Sequence, residues 1–195
     1  MDRVVQKRGR GRPRATDNAR ISEVAFELFD RSGYAETTMT DIAAAAGISA
    51  PTLFRYFPTK ASILWDSYGD SVDRFKALLD AQPADGRLLD VVFSAYQHML
   101  TDERPSLPII KSRIALISKE SGDVAAAWDS YEQWAAIVTR FVAGRRGLAA
   151  DSLEAEVLGG TIWAGLWSAI VHWSHGPDDD PTATLAKARQ YLVID

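Results

Sequence analysis

Residues 40–57 constrain the fold of this chain more than any other stretch, because they contain two short helical segments around a tight turn. The stretch reads TDIAAAAGISAPTLFRYF, with Gly47 at the turn. Ala43–Ala46 are small enough for a second helix to cross closely, and Ile48 and Leu53 can be buried under the turn. Two short helices joined by a turn of roughly three to four residues that includes Gly are the helix-turn-helix signature. The pattern predicts this motif, against the alternative of an ordinary helical hairpin.

Apolar residues at three- and four-residue spacing continue on both sides of the motif and predict further helices. Gly33 is placed to end the first helix, Thr40 and Ser49 to cap the two motif helices, and Phe54 to supply an apolar contact. No stretch has the two-residue period of a strand. We therefore expect an all-α fold of about nine helices, which cover roughly residues 18–31, 40–46, 49–57, 60–79, 87–101, 107–120, 123–146, 151–175 and 181–193.

The charge of the chain is unevenly distributed. The formal net charge is −4, yet the first twenty residues hold seven Arg or Lys against two Asp. A basic front on an acidic body suggests that the front meets a polyanion. Residues 1–17 form an arm that we expect to be disordered in isolation. Its Gly11-Arg12-Pro13 core resembles an AT-hook, which lies in a narrow minor groove, and the alternative is a solvated tail that attracts phosphates without specificity.

The second motif helix offers side chains to a DNA major groove, because such a helix meets base edges with its N-terminal residues. Arg55 is suited to pair with guanine, and Thr52 with a base or a phosphate. Tyr56 and Lys60 are more plausible phosphate contacts, and so is Thr40 at a helix N-terminus. The predicted DNA contacts are Arg10, Arg12, Arg14, Thr40, Ser49, Ala50, Pro51, Thr52, Arg55, Tyr56 and Lys60.

Residues 18–65 resemble the DNA-binding domain of the tetracycline-repressor (TetR) family. The resemblance rests on the run AxxLFxxxGYxxTTMTDIAxxAGIS from Ala25 to Ser49, and continues through PTLFRYFPTK to Lys60. Tyr56 stands where the family more often has His, and Arg55 fills a position that is often neutral. The resemblance implies a homodimeric transcriptional regulator, usually a repressor. Its N-terminal helices would bind a palindromic operator, and its C-terminal helices would dimerise and enclose an effector whose binding releases the DNA.

Three further stretches are similar to family members linked to mycofactocin-type gene clusters. They are Leu64–Asp66, Lys111–Ser118 and Trp128–Arg146. That subgroup is associated with acyl-CoA-like effectors, so Arg113 or the Arg145-Arg146 pair would meet phosphates. The alternative for the pair is that it favours a helix C-terminus.

The resemblance divides the chain into the arm of residues 1–17, a DNA-binding domain of residues 18–64 and an effector-binding and dimerisation domain of residues 65–195. Small residues at four-residue spacing let helices approach closely, so we expect residues 151–175 and 181–193 to supply each subunit's half of a dimeric bundle. The predicted interface consists of Gly160, Trp163, Ala164, Trp167, Ser168 and Val171. The alternative is that this stripe packs within its own chain.

The middle helices hold the residues expected for an apolar pocket with a few polar groups. Aromatic residues at helical spacing are more often core, which is the alternative here. Arg113, if partly buried, needs an anionic partner from the chain or from a ligand. The predicted effector site consists of Tyr96, Met99, Leu100, Arg113, Ile117, Trp128, Tyr131, Trp134, Trp163 and Trp167.

Several classes of function are disfavoured. The chain has no cysteine, which excludes a disulfide scaffold, a Cys zinc site and a thiol nucleophile. It lacks the usual hydrolase, P-loop and metalloprotease motifs, so we expect no enzyme, cofactor or metal, and Asp178–Asp180 fits a solvated loop better than a metal site. Residues 157–177 carry no charge but include Gly and Pro, which indicates a buried helix rather than a membrane span. With no secretory signal, we expect a cytoplasmic location.

Two other functions remain open on the sequence alone. One is a weakly specific architectural DNA-binding protein that uses the arm. The other is a helical effector-binding module whose DNA-binding domain has degenerated.

Overall fold

The computed structural model describes residues 14–66, 68–102, 106–119 and 124–193, and of residues 14–17, 68 and 124–128 the backbone alone. These ranges contain helices and no strand, which confirms the all-α prediction. The chain divides into two compact units with the boundary after Asp66. The helices are α1 (Arg14–Ser32), α2 (Met39–Ala46), α3 (Ala50–Tyr56), α4 (Lys60–Leu64), α5 (Tyr68–Asp80), α6 (Leu88–Asp102), α7 (Leu107–Lys119), α8 (Val124–Arg146), α9 (Leu153–His175) and α10 (Thr182–Tyr191).

The first unit is a small helical domain in which α1, α2, α3 and α4 enclose one core. Ile42 of α2, Leu53 of α3 and Ala25 of α1 are all fully buried. Burying these side chains removes apolar area from water at about 25 cal/mol per Å². Because both short helices contribute to the same core, their crossing is fixed by packing and not by helix propensity alone.

The turn between α2 and α3 is closed by backbone hydrogen bonds. Gly47 has φ of +70°, in the left-handed region that favours glycine. The Gly47 N–H donates to the carbonyl of Ala44 at 3.1 Å, and the Ile48 N–H donates to that of Ala43 at 3.0 Å. Ser49 then caps α3, its Oγ accepting from the Thr52 N–H at 3.3 Å. The sequence prediction of Gly47 and Ser49 as the end of one helix and the start of the next is confirmed.

The cap of α2 is not Thr40, the residue predicted from the sequence. Thr38, and not Thr40, is the N-cap, and Thr38 and Asp41 form a capping box. The Asp41 N–H donates to Thr38 Oγ1 at 3.2 Å, and the Thr38 N–H donates to Asp41 Oδ2 at 2.9 Å. Thr38 is favoured over Thr40 because Asp41, three positions after it, returns a second hydrogen bond, whereas Thr40 is followed at that spacing by Ala43. Thr40 lies instead in the first turn of α2, exposed.

Two other helix boundaries differ from the prediction. The first helix begins at Arg14, four residues earlier than expected. The added residues are not part of the apolar period, so the sequence pattern gave no sign of them. The segment predicted as one helix from Lys60 to Leu79 is two helices, α4 and α5. Ile63 and Leu64 are buried in the first unit, whereas Phe75 belongs to the core of the second, so one continuous apolar period serves two separate cores.

The second unit is built around α9, which packs against α7, α8 and α10. It lies close against α8 at Gly159, where a Cβ would lie 2.4 Å from the Cα of Thr139. Ile162, Leu166 and Trp173 of α9 are buried in the core. None of the described helices is long and apolar enough to cross a membrane.

Candidate functional site

Most of the predicted DNA contacts lie on α3 and on the residue that caps it. Ser49, Pro51, Phe54 and Arg55 are exposed, whereas Ala50, Thr52 and Tyr56 are half-buried. The Arg55 guanidinium lies 5.5 Å from the centroid of the Tyr56 ring, so the cation and the ring share one side of the helix. The structure thus brings together on α3 most of the residues that the sequence suggested for DNA contact.

Phe54 is the residue of this surface that the sequence analysis missed. The sequence predicted only an apolar contact for it, yet 49% of its surface is exposed, while the neighbouring Leu53 has none. Only the second of the pair points outward because successive helical residues are rotated by about 100°. That rotation, with Leu53 assigned to the core, was the signal in the sequence that could have found it.

The polar groups at the start of the two motif helices are held by their neighbours. Ser49 Oγ and Thr52 Oγ1 are 2.8 Å apart and share a hydrogen bond. Thr38 Oγ1 donates to Asp41 Oδ2 at 2.6 Å. The hydrogen bonds from the Thr38 hydroxyl and backbone N–H lower the pKa of Asp41, since they favour its charged form. The carboxylate is therefore charged in the first turn of α2, where it interacts favourably with the positive end of the helix dipole.

Lys60 is tied to its own domain through backbone carbonyls. Its Nζ donates to the carbonyls of Tyr34, of Thr37 at 3.0 Å and of Ala35 at 3.3 Å, and lies 4.3 Å from the centroid of the Tyr34 ring. An ammonium has three N–H groups, and each one faces a carbonyl here. Lys60 thus holds the segment between α1 and α2 against the start of α4. The phosphate contact suggested for Lys60 stays a prediction.

The predicted contacts in the arm are outside what the structure describes. Arg10 and Arg12 precede the described residues, and Arg14 is described only as the first backbone position of α1.

The predicted effector residues of the second unit divide into a packed group and a partly exposed group. Tyr96, Met99, Leu100, Trp134 and Trp163 are buried in the core, while Arg113, Ile117, Tyr131 and Trp167 are half-buried. The side chain of Trp128 lies outside the described residues.

The aromatic rings of these residues contact one another. The rings of Trp134 and Trp163 are parallel within 6°, with centroids 5.4 Å apart. Tyr96 meets Trp134 edge-on, and Tyr131 meets Trp167 edge-on. Burial raises the pKa of Tyr131, and the charge of Glu132 adds to the rise. The contacts match the core alternative for these residues.

A surface groove runs along the C-terminal half of α9. It encloses about 550 Å³ and is lined by Trp167, Ser168, Val171, His172, His175 and Gly176. His175 Nε2 lies 2.9 Å from Ser118 Oγ. Among the predicted effector residues, Trp167 is the one that lines this groove. Its walls carry both apolar surface and imidazole nitrogens.

The predicted dimer face of α9 needs one correction. Trp163 is only 2% exposed and stacks inside its own domain, so its side chain is not available to a second subunit. Trp163 lies about 100° of helical rotation from Ala164, on the side of α9 where its ring contacts those of Tyr96 and Trp134. Ala164 and Ser168 are exposed, Gly160, Trp167 and Val171 are half-buried, and a Cβ added to Gly160 would meet nothing within 4 Å.

The charged groups suggested for other roles bind within the chain. The Arg145 guanidinium donates to the carbonyls of Ala84 at 2.7 Å and Pro83 at 2.5 Å. The Asp178 carbonyl accepts from Lys111 Nζ at 2.7 Å, and Asp180 Oδ1 accepts from the Thr182 N–H at 2.9 Å. Asp178–Asp180 are thus part of a loop held by Lys111. Within the described ranges, no three His, Asp or Glu side chains come together as a metal site.

Two family models match this chain. The model of bacterial regulatory proteins of the tetR family matches residues 21–65, and the model of the MftR C-terminal domain matches residues 87–194. Together they cover both structural units. The second model alone covers more than half of the chain.

The chain is also similar to individual proteins. A regulator named for mycofactocin biosynthesis, MftR of Mycobacterium tuberculosis, is 29% identical over 184 residues, which are 94% of this chain and 92% of the relative. The crystal structure of Thermus thermophilus FadR, a repressor in complex with lauroyl-CoA, matches with a TM-score of 0.56 and 23% identity, over 91% of this chain and 96% of that one. FadR of Bacillus halodurans matches with a TM-score of 0.66 and 16% identity, over 88% and 95%. The two structures support the fold.

Proposed function

Because the chain belongs to the TetR family of bacterial regulatory proteins and carries an MftR-type C-terminal domain, we propose that it is a ligand-responsive repressor that acts as a homodimer on a palindromic operator. In this proposal residues 18–64 bind DNA, and residues 65–195 bind the effector and the second subunit. The arm of residues 1–17 adds affinity for the DNA backbone. The protein acts in the cytoplasm, where its operator is.

The exposed face of α3 is the observation that carries the proposal. A cation at Arg55 and a bare aromatic ring at Phe54 lie side by side on a helix held by a fully buried Leu53. About half of the Phe54 surface stays in contact with water on folding, so that half contributes nothing to the stability of the isolated domain. In a major groove the same ring would lie against thymine methyl groups, while Arg55 would donate to guanine.

Both of these contacts would read the base sequence. The hydroxyl of Thr40 and the backbone N–H groups near it would instead bind a phosphate. Phosphate contacts fix the position of a protein on DNA but read no sequence. A homodimer presents two such α3 helices, and a two-fold operator with half-sites about one helical turn apart would match them.

For the effector, we propose an acyl thioester of coenzyme A. The support is the match to the MftR-type domain and the likeness to a FadR structure that holds lauroyl-CoA. The aromatic cluster around Trp134 and Trp163 is an apolar interior that an acyl chain would enter by separating rings that now touch.

The DNA part of the proposal is tested by selection from a random duplex library followed by gel-shift competition. We expect one palindrome to be bound about 10³-fold or more tightly than random DNA. Arg55→Ala should lose about 1–3 kcal/mol on that palindrome and much less on random DNA. Arg87→Ala is the matched control, because it removes the same charge from an exposed position of the second unit.

Other outcomes would favour the other two functions. Binding with no preferred sequence would support an architectural protein, and deletion of the arm would then abolish most of the affinity. DNA affinity that is unchanged by Thr52→Ala and Tyr56→Ala would indicate a degenerate DNA-binding domain.

The effector part is tested separately on the selected palindrome. Lauroyl-CoA should release the DNA at concentrations where coenzyme A alone does not. If neither compound releases the DNA, the proposed acyl thioester effector is wrong, while the DNA-binding proposal is unaffected.

A further inference from the structure

Trp163 carries a hydrogen-bond donor that the folded chain does not use. Its side chain is 2% exposed, and its indole Nε1 is buried with no acceptor among the residues that the structure describes. A buried Trp N–H usually has a hydrogen-bond partner, and a donor that lacks one destabilises the fold. Such a group in a native protein therefore needs an explanation, and an acceptor supplied by a ligand is one.

The rings that contact Trp163 fall into an outer pair and an inner pair. Tyr131 and Trp167 are the outer pair, since both are half-buried, and their centroids lie 6.0 and 6.3 Å from that of Trp163. Tyr96 and Trp134 are the inner pair, since both are buried, and their centroids lie 6.2 and 5.4 Å from it. A molecule that enters past the outer pair and ends at the inner pair must therefore pass the ring of Trp163.

We propose that Trp163 Nε1 donates to the carbonyl oxygen of the acyl thioester, and that this bond distinguishes the effector from other molecules with the same chain. The inference rests on the proposed acyl coenzyme A effector and adds the atom that recognises its thioester. The acyl chain lies against the inner rings of Tyr96 and Trp134. The coenzyme A part extends between the outer rings of Tyr131 and Trp167 towards solvent.

The bond is favourable because the indole N–H has no water to give up when the ligand binds. A donor at a protein surface exchanges a bond to water for a bond to the ligand, so its net gain is small. The Trp163 N–H has already lost its contact with water on folding. Only the ligand carbonyl is dehydrated on binding, and its new bond forms in an apolar surrounding, where it is electrostatically stronger.

The charge near these rings favours a neutral carbonyl over a carboxylate. Burial raises the pKa of Tyr131, and the negative charge of Glu132 raises it further. The second effect means that the potential beside the Tyr131 ring is negative. A free fatty acid would bring a carboxylate out of water and into that potential, which is costly for a charge. A thioester presents a carbonyl oxygen without the charge.

Two ligands that differ only in the carbonyl test the proposal. Lauroyl-CoA and S-dodecyl-CoA have the same chain length, but S-dodecyl-CoA is a thioether with a methylene group in place of the carbonyl. In isothermal titration of the full chain, the dissociation constant should be about tenfold lower for lauroyl-CoA. Methyl laurate should likewise bind more tightly than laurate, because only laurate brings a charge.

Trp163→Phe removes the donor and keeps an aromatic ring. The preference for lauroyl-CoA over S-dodecyl-CoA should disappear in this variant, since the carbonyl then loses its water without compensation. Trp173→Phe is the matched control. Trp173 is also on α9, is 1% exposed, and its Nε1 also has no acceptor within the described ranges. It lies about 15 Å further along the helix, so its loss should leave the preference unchanged.

A measurement on the unchanged chain makes the test independent of how the variants fold. The six Trp residues give six indole N–H resonances in a ¹⁵N-labelled sample. One of them should move downfield with lauroyl-CoA and not with S-dodecyl-CoA, because only the thioester offers the acceptor. The same resonance should be missing from the spectrum of Trp163→Phe, and circular dichroism checks that this variant folds.

The outcomes separate this hydrogen bond from the effector itself. If lauroyl-CoA does not bind the unchanged chain, the proposed acyl thioester effector is wrong, and the bond to Trp163 is wrong with it. If the two CoA ligands bind equally, or if Trp163→Phe keeps the preference, the effector stands and the bond is wrong. Loss of the preference in Trp173→Phe would also overturn the assignment to Trp163, and tighter binding of laurate than of methyl laurate would overturn the neutral acceptor.

Discussion

The contact between α8 and α9 predicts a specific loss of stability for Gly159→Ala. The new Cβ would lie 2.4 Å from both the Cα and the Oγ1 of Thr139, and 2.8 Å from its nitrogen. Carbon atoms pack best at about 3.5–4.0 Å, so the two helices would have to separate by roughly 1 Å. Overpacking of this kind costs about 1–3 kcal/mol, and the better helix propensity of Ala returns up to about 1 kcal/mol. Taking the upper end of the overpacking cost, we expect the free energy of unfolding to fall by about 2 kcal/mol in total.

Gly144→Ala is the matched control for this prediction. Gly144 is also inside a long helix of the second unit, but its Cβ would meet nothing within 4 Å. The substitution should therefore leave the free energy of unfolding unchanged or raise it by up to about 1 kcal/mol. Equilibrium urea unfolding at one protein concentration, followed by Trp fluorescence, measures both variants. If Gly159→Ala proves as stable as Gly144→Ala, the close helix contact deduced here is refuted.

Three further predictions concern single side chains. Thr38→Ala should lower the stability of the first unit by about 1 kcal/mol in thermal unfolding followed by circular dichroism, because it removes the cap of α2. The pKa of Asp41 is lowered by Thr38, so the part of the effect that comes from the hydrogen bonds to the Asp41 carboxylate should be present above the ordinary carboxyl pKa of about 3.9 and lost as the pH falls through the folded value. An undiminished effect of the substitution at pH 2 would contradict that coupling. Lys60→Met should reduce the stability of the first unit and weaken binding to cognate and random DNA alike, whereas a purely phosphate-binding Lys60 would leave stability unchanged in the same thermal scan. Tyr131 should ionise above the ordinary tyrosine pKa of about 10, and the stability that this shift contributes should be lost as the pH rises through the folded value. Comparison of the tyrosinate absorbance of the protein with that of Tyr131→Phe measures the shift, and ionisation at the ordinary pKa would refute it.

The helix-turn-helix could be predicted from sequence because its determinants are local. Gly47 and Ser49 act within a few residues of their positions, one through its left-handed backbone and the other through its hydroxyl. The error at the start of α2 was local too. Thr38 and Thr40 are both good capping residues, but only Thr38 has an acidic residue three positions later, which completes a capping box.

The split between α4 and α5 could not be predicted in this way. The apolar residues from Ile63 to Leu79 keep a helical period across the break, and periodicity reports only which residues are buried. It does not report that Ile63 and Phe75 are buried in different cores. That information depends on contacts between residues far apart in the chain, which no local pattern contains.

The direction of the Trp residues on α9 illustrates a different limit. In most surface helices a polar face marks the side that meets water. Between Val157 and His175 no charged residue provides that mark, so the period of large apolar residues fits several orientations. Only the structure distinguishes the two faces, since Ile162, Leu166 and Trp173 are buried whereas Ala164 is exposed.

That distribution is the reverse of what solvent exposure alone would favour. A face that meets only water has no reason to exclude charge, and Lys or Glu would serve it better than Ala or Ser. A face of small uncharged residues instead allows close approach of another helix and leaves no charge to desolvate. Coverage by another helix would therefore account for two features of this side of α9. These are its lack of charge and the small size of its central residues. For α9, the small uncharged residues Gly160, Ala164 and Ser168 can be read from the sequence, whereas the burial of Trp163 is seen only in the structure.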